Sequence, residues 1–371
     1  MSNSLTVLVC LFVLASACNK ASSSNPDVTT SVSASAMPPT VASHVAAVAA
    51  NSPSGAVQVY PLPGVSGPVT LDLFAYDRAT GQVWIPVGET GSVDVFTIAT
   101  STFSRVDGFK TTERESHGHK RMMGPSAAAV GDGVVYVSNR SSSEVCVVNA
   151  AALKRGPCFQ LESPPDVIAY VAGAKEVWVT TPKLNSIVVL DATRPDELKT
   201  KLVVKTEGAP ECYAVDALHD LFYTNLEDKN RTVSIDIKTH AVKATWTLGC
   251  SDGPRGIAVD AARNFVFVAC TDGLEVRDGA HDGALLGNLD TGGGVDAIDY
   301  LDANSRLYVA AGKAARLTTV QFSDKGVPAV ATAETTAPGA RNAVVDSNGV
   351  AYVVDPQTAR LLVVGSAVGP R

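Results

Sequence analysis

The chain has 371 residues, with 37 Asp and Glu against 30 Lys and Arg, which gives a formal net charge of −7 at pH 7. This balance argues against a general nucleic-acid-binding protein, because neutralising phosphates requires clustered Lys and Arg. Gly and Pro are plentiful, at 30 and 20 residues, while only 18% of residues are charged and 6% aromatic. This composition favours many short strands joined by turns over long helices.

The chain begins with an apolar segment, residues 5–17, that is too short to span a bilayer and is typical of a signal peptide. The run Leu14-Ala15-Ser16-Ala17-Cys18 at its end resembles the lipobox of bacterial lipoproteins. The resemblance implies a signal peptide over residues 1–17, lipidation of Cys18 and a membrane anchor in the periplasm or outer membrane. An ordinary secretory signal is the alternative. Residues 18–54 are rich in Ser, Ala, Thr and Pro, which predicts a disordered tether.

From residue 55 onward one pattern recurs seven times. A short apolar strand follows Pro or Gly, and a tight turn and further strands follow, at intervals of roughly 40–45 residues with one of about 54. This period predicts an all-β fold over residues 55–371, a seven-bladed β-propeller of four-stranded antiparallel blades. The copies begin at Leu71, Pro125, Pro165, Pro210, Pro254, Val295 and Ala340.

The last copy has only three strands before the chain ends. The segment Gly55-Ala56-Val57-Gln58-Val59-Tyr60 alternates as a half-buried strand does and has no partner of its own. We therefore expect the N-terminal strand to complete and close the last blade, since an unpaired edge would invite aggregation.

The second strand of each copy carries a further signal. Tyr136-Val137-Ser138-Asn139 and Tyr352-Val353-Val354-Asp355 are typical, and Ala258-Val259-Asp260 marks the preceding turn. Together these repeats resemble the YVTN-repeat β-propellers, including the YncE-like exported bacterial proteins. The resemblance implies a propeller that binds partners, with an envelope protein or polymer as the expected partner, no defined chemistry and no established cofactor. We expect a monomer.

The cysteines suggest disulfides, which export permits. Cys146 and Cys158 lie on the two arms of a predicted hairpin and could face each other across the strands, although two separate buried thiols remain the alternative. Cys212, Cys250 and Cys270 form an odd set, for which we expect one pair and one free thiol of undetermined identity.

A candidate site follows from the repeat register. The connections from strand d to the next strand a, and from b to c, lie on one face around the mouth of the central channel. One residue of each copy falls at this mouth, so four carboxylates and two guanidiniums converge there and need compensating cations or raised pKa values. Either the acids pair with the arginines, or they bind calcium or a cationic ligand group. These predicted ligand-binding positions are Asp72, Ser126, Asp166, Glu211, Arg255, Asp296 and Arg341.

The longest insertion, residues 108–124, opens on the same face, and long loops on a rigid scaffold often carry recognition. Two histidines flank a glycine and could contribute to a transition-metal site, four cations could attract an anionic partner, or the loop could do nothing specific. The residues concerned are Lys110, Arg114, His117, His119, Lys120 and Arg121.

Two classes of function therefore compete. The leading one is an exported, lipid-anchored propeller that binds a partner through its loop-rich face, because no catalytic motif is evident. The alternative is a metal-dependent lactonase- or lyase-like enzyme with its site at the channel mouth, the mouth acids as ligands and His117 or His119 as the acid–base group. A third idea, a quinoprotein, rests on the single phrase at residues 77–84, which is more simply a turn.

Overall fold

The computed structural model of this chain describes residues 57–116 and 119–365, and these form a seven-bladed β-propeller. Each of the seven sheets has four antiparallel strands, a to d, with strand a nearest the axis. The predicted all-β fold is confirmed. The predicted signal peptide, Cys18 and the tether lie outside the described residues.

The seven blades follow one another around the ring, and within each blade the strands run in the order a, b, c, d. Blade 1 has Ala75–Asp77, Gln82–Val87, Ser92–Thr97 and Thr102–Val106; blade 2 has Pro125–Gly131, Val134–Asn139, Glu144–Asn149 and Lys154–Gln160. Blade 3 has Ile168–Val171, Glu176–Thr181, Ser186–Asp191 and Lys199–Lys205; blade 4 has Pro210–Asp216, Leu221–Leu226, Arg231–Asp236 and Val242–Thr247. Blade 5 has Pro254–Asp260, Phe265–Cys270, Gly273–Asp278 and Ala284–Leu289; blade 6 has Val295–Leu301, Arg306–Ala311, Arg316–Phe322 and Pro328–Thr335. Blade 7 has Ala343–Val345, Ala351–Asp355, Arg360–Val364 and Val57–Pro61.

Helical structure in the described residues is limited to short 3-10 turns between strands. These are Pro182–Leu184, Pro195–Glu197, Glu227–Lys229 and Asp302–Asn304. None of the helices in the described residues is long and apolar enough to cross a membrane.

Blades pack against one another through the aromatic residues of strand b. The ring of Trp178 in blade 3 stacks on Phe222 of blade 4 with centroids 4.5 Å apart. Trp178 and Tyr136 are each 1% exposed. Burying such large side chains between neighbouring blades stabilises the ring.

Aspartates at the ends of strand a account for part of the acidic excess. The Asp77 carboxylate accepts the backbone N–H of Ala79 at 2.9 Å and the hydroxyl of Thr80 at 2.7 Å. A short carboxylate satisfies turn N–H groups in this way. Other a–b turns use the same device, at Asp216, Asp260 and Asp346. The phrase at residues 77–84 is therefore a turn and the start of a strand.

The N-terminal strand closes the ring. Val57–Pro61 pairs antiparallel with Arg360–Val364, from Val57 opposite Val364 to Pro61 opposite Arg360. The ring of Tyr60 lies 4.9 Å from that of Phe96 and so also connects this strand to blade 1. Val59 is 45% exposed, because the strand is the outermost of its blade and burial along it does not simply alternate.

The insertion between blades 1 and 2 contains a two-stranded antiparallel hairpin, which we call the ribbon. Its strands are Thr112–Ser116 and His119–Met123, with Arg114 directly opposite Arg121. The sequence predicted a loop here. The strand was not predicted because Thr-Glu-Arg-Glu-Ser has no apolar residue that would indicate a strand. His117 lies outside the described residues.

The cysteines of blade 2 are register partners on strands c and d, and their sulfur atoms are bonded, Cys146 to Cys158. A second disulfide joins Cys250 to Cys270. Cys212 is the free cysteine of the described residues and is buried on the axis.

Candidate functional site

The channel mouth holds a chain of linked charges. Three arginines and five acids meet where strands a begin and where the b–c turns begin, and we call them the mouth ring. Its members are Asp72, Arg140, Asp166, Glu211, Glu227, Arg255, Asp296 and Arg341.

Asp296 lies between two arginines of the mouth ring. Its Oδ2 lies 3.2 Å from Nε of Arg341, and its Oδ1 lies 3.6 Å from Nη1 of Arg255. Arg341 reaches on to Asp72, with Nη2 3.6 Å from Oδ1. The two predicted arginines thus pair with predicted acids in the mouth.

Arg140 is a member that the register argument missed. It comes from the b–c turn of blade 2, where its Nη1 lies 2.5 Å from Oδ2 of Asp72 and its Nη2 contacts Asp166. The predicted mouth positions all lie at the starts of strands a, whereas Arg140 belongs to a b–c turn, which emerges on the same face. The sequence signal was the residue that follows Asn139 at the end of strand b.

Glu211 and Glu227 form a like-charged pair. Glu227 begins the b–c turn of blade 4, and it pairs with Arg255 as well as contacting Glu211. Burial, together with the charge of Glu227 and a hydrogen bond to it, raises the pKa of Glu211 to about 8. Glu211 therefore keeps its proton into the neutral pH range.

Ser126 takes no part in the mouth ring. Its side chain is only 3% exposed and lies 3.3 Å from the hydroxyl of Ser138. Its carbonyl oxygen accepts the backbone N–H groups of Asp72 and Leu73, so its role is to hold strand a of blade 1 against strand a of blade 2.

Apolar side chains lie beneath the mouth ring. Directly beneath the ring, Val167, Cys212 and Ala297 are buried and belong to one apolar cluster, with Leu73 packed against it. The Cys212 thiol donates to the Asp296 carbonyl oxygen at 3.5 Å, which links blade 4 to blade 6 across the axis. A ligand at the mouth therefore meets paired charges above a closed floor.

The ribbon stands beside this mouth. The backbone N–H of Arg140 donates to the Gly124 carbonyl at 3.1 Å. Gly124 also packs so closely on the backbone of Gly88 that no side chain would fit at this position. Nζ of Lys110, two residues before the ribbon, lies 2.6 Å from Oε1 of Glu144 and connects this end of the insertion to blade 2.

The predicted recognition residues differ in how far they are already paired. Lys120 forms an ion pair with Glu113 at 2.8 Å within the ribbon. Arg114 and Arg121 are exposed and opposite each other, and neither forms an ion pair with a described residue. Two like charges on facing positions destabilise a hairpin unless something anionic lies between them.

Candidate metal ligands cluster elsewhere. Within residues 57–116 and 119–365, three or more ligand atoms approach within 4.8 Å of one another at two places, and both include disulfide-bonded cysteines. These are Glu144 with Cys146 and Cys158, and Glu275 with Cys250 and Cys270. The carboxylates of the mouth ring form no such group among the described residues.

No protein-family model matches the chain, and no curated protein matches it either. Among solved structures, a chain of hydrazine synthase from Kuenenia stuttgartiensis aligns with a TM-score of 0.69 at 15% identity, covering 82% of this chain and 97% of that one. A chain of the mitotic checkpoint complex aligns with a TM-score of 0.67 at 10% identity, covering 86% of this chain and 98% of that one. Virginiamycin B lyase from Staphylococcus aureus aligns with a TM-score of 0.63 at 10% identity, covering 83% and 98%. Identities this low show a shared propeller fold and nothing about activity.

Proposed function

We propose that this chain is an exported, lipid-anchored, monomeric propeller of the YVTN-repeat type, and that it binds an anionic envelope protein or polymer through its mouth face. The observation that carries the proposal is the exposed pair Arg114 and Arg121 on the ribbon. An anionic group placed between them would relieve their repulsion and form charge-assisted hydrogen bonds with both.

The rest of the mouth face supports binding over chemistry. The ring arginines are already paired with acids, and the floor beneath them is closed by apolar side chains. An extended partner could lie across this face and reach the ribbon without entering the axis. Long polar insertions on rigid scaffolds are common sites of recognition.

The test is a double substitution, Arg114→Gln with Arg121→Gln, in full-length protein crosslinked in intact cells. Capture of the partner should fall at least about tenfold, since each charge-assisted hydrogen bond contributes roughly 1.5–3 kcal/mol. The matched control is Lys175→Gln with Lys325→Gln, which removes the same charge from exposed sites away from the ribbon. Equal capture by both double variants would place the contact elsewhere.

The anchor has its own test. Cys18→Ala should move the protein from the membrane fraction to the soluble envelope fraction, because lipidation requires the cysteine. Retention in the membrane after this change would contradict the lipoprotein assignment.

The lactonase- or lyase-like alternative is favoured by one observation, the burial of Glu211 beside Glu227. A carboxyl group with a pKa of about 8 can exchange a proton near neutral pH. Metal analysis and melting curves with calcium or zinc distinguish the two functions. We expect no stoichiometric metal and no shift. A retained metal that Glu211→Ala or Asp296→Ala abolishes would favour the enzyme.

A further inference from the structure

A second cavity opens on the other side of the axial floor. It has a volume of about 360 Å³ and extends from the a–b turns inward to Leu73, Cys212 and Asn342. None of the mouth-ring acids or arginines lines it. Its volume lies in the range of small-molecule sites, about 300–1,000 Å³.

The cavity exists because strands a carry small residues at one level. The backbone register aligns Ala75, Ala129 and Ala214 from three different blades, and Ala258 lies at the same level in blade 5. Their methyl groups leave space where larger side chains would fill the axis. In blade 6 the equivalent position is Asp299, so one acidic residue lines the cavity together with these alanines.

Asp299 has no cationic partner among the described residues. Its Oδ2 accepts the backbone N–H of Val345 at 2.8 Å, and the backbone N–H of Tyr300 also donates to this carboxylate, so it has no side-chain partner in the described residues. Burial raises the pKa of Asp299 to about 6, against the lowering effects of that N–H and of Arg78. A ligand cation beside this carboxyl group would favour its charged form.

Arg78 supplies the opposite charge at the rim of the same cavity. It is exposed, lies over the ring of Tyr76 with its guanidinium carbon 5.7 Å from the centroid, and forms no ion pair with a described residue. Asp299 and Arg78 thus line one cavity without pairing with each other. A carboxylate and a guanidinium that are separated in this way are complementary to a molecule that carries one positive and one negative charge.

The inner end provides a third polar group. Asn342 is 4% exposed and donates through Nδ2 to the Asp72 carbonyl, but its Oδ1 is buried without a hydrogen-bond partner in the described residues. Burying an acceptor without a hydrogen bond is unfavourable, and a ligand N–H donating to Oδ1 would remove this cost. Two acceptors deep inside and one guanidinium outside define the polarity of the ligand.

We propose that this axial cavity binds a small zwitterion of the α-amino-acid class, with its ammonium group at Asp299 and its carboxylate at Arg78. The apolar wall, which includes Phe74, Ile257 and the ring of Tyr213, would contact the side chain of the ligand. This site is independent of the ribbon and of the proposed partner.

The first measurement is saturation-transfer NMR of the wild-type propeller with the proteinogenic L-amino acids. For the strongest binder, calorimetry then compares the amino acid with its decarboxylated amine and its deaminated acid. The zwitterion should bind at least about tenfold more tightly than either, because each analogue leaves one charged protein group unpaired. Equal binding of the amine, or no binding of any amino acid with a Kd below about 10 mM, would overturn the proposal.

The variants locate the site. Asp299→Asn can still accept the Val345 N–H and Arg78→Gln alters an exposed side chain, so both should fold as the wild type does. Each should weaken binding about tenfold or more. Asp324→Asn, an exposed acid away from the cavity, should change nothing. Full affinity in Asp299→Asn would show that the ligand binds elsewhere and would reject the assignment.

Discussion

The carboxyl group of Glu211 makes the mouth sensitive to pH. Folding raises its pKa from an ordinary value of 4.5 to about 8, mainly through burial and then through Glu227. The folded state therefore holds a proton that the unfolded chain releases between these two values. Stability contributed by this proton is full below about pH 4.5 and is lost as the pH rises through 8.

Replacing Glu211 with Gln should remove this dependence. The variant should gain on the order of 2 kcal/mol relative to the wild type between pH 5 and pH 9, after discounting for partial exposure. Urea unfolding at both pH values measures the difference. Glu162→Gln, at an exposed position, serves as the control and should follow the wild type. A constant difference between Glu211→Gln and the wild type would contradict the raised pKa of Glu211.

Arg140 is the residue on which two mouth acids depend. Asp72 and Asp166 have side chains only 15% and 9% exposed, and both pair with Arg140. Arg140→Ala should lower the free energy of unfolding by about 3 kcal/mol, because it leaves the nearly buried Asp166 without a cation and Asp72 with only the longer contact to Arg341. Arg194→Ala removes an exposed pair with Glu197 and should cost less than about 0.5 kcal/mol. Similar losses in the two variants would show that Arg140 acts only as a surface charge.

The residue scale also shows where sequence reasoning stops. Asp296 and Arg341 could be placed at the mouth, because strands a repeat with a constant register. Arg140 and Glu227 both directly follow strand b, where the other blades have Gly, Pro or Thr, so no repeated charge marked that position in the sequence. The cavity was not anticipated because alanines such as Ala214 look like ordinary packing residues until the register aligns them.

At the scale of elements, strand b was the most predictable and the ribbon the least. Strand b is apolar on both faces and ends in a recurrent motif, as Tyr136 and Trp178 show. Strands of the ribbon are polar on both faces, so neither periodicity nor composition distinguishes them from a loop. The pairing of Cys146 with Cys158 could be predicted because both lie on one hairpin. The pairing of Cys250 with Cys270 could not, because it depends on how the turn that holds Cys250 packs against strand b.

The disulfide of blade 2 fixes strand c to strand d. Its cysteines are 12 residues apart, a loop for which cross-linking contributes about 2–3 kcal/mol. The double variant Cys146→Ala, Cys158→Ala should lose that amount in denaturant unfolding. With all disulfides reduced, the wild type and the variant should become nearly equal in stability. A difference that persists unchanged under reduction would mean that side-chain packing, not the cross-link, is responsible.

At the scale of the whole molecule, stability depends on closing a ring of similar blades. Each blade contacts its two neighbours, so an open ring leaves blade 7 with a bare edge at Arg360–Val364. Repeat period and the missing strand were enough to predict that closure. The burial of individual residues in the closing strand was not predictable, because it depends on contact with blade 1 through Tyr60 and Phe96.

Deleting residues 57–61 should therefore destabilise the protein far more than deleting residues 19–50. Removing the closing strand uncovers Leu361, Leu362 and Val364, which are all below 5% exposed, and costs on the order of 5 kcal/mol. The exposed edge should also drive self-association, since it presents unpaired N–H and C=O groups. Thermal melting by circular dichroism and size-exclusion chromatography measure both effects. Equal melting temperatures for the two deletions would mean that the ring is stable without the N-terminal strand, and that closure by this strand contributes little to the fold.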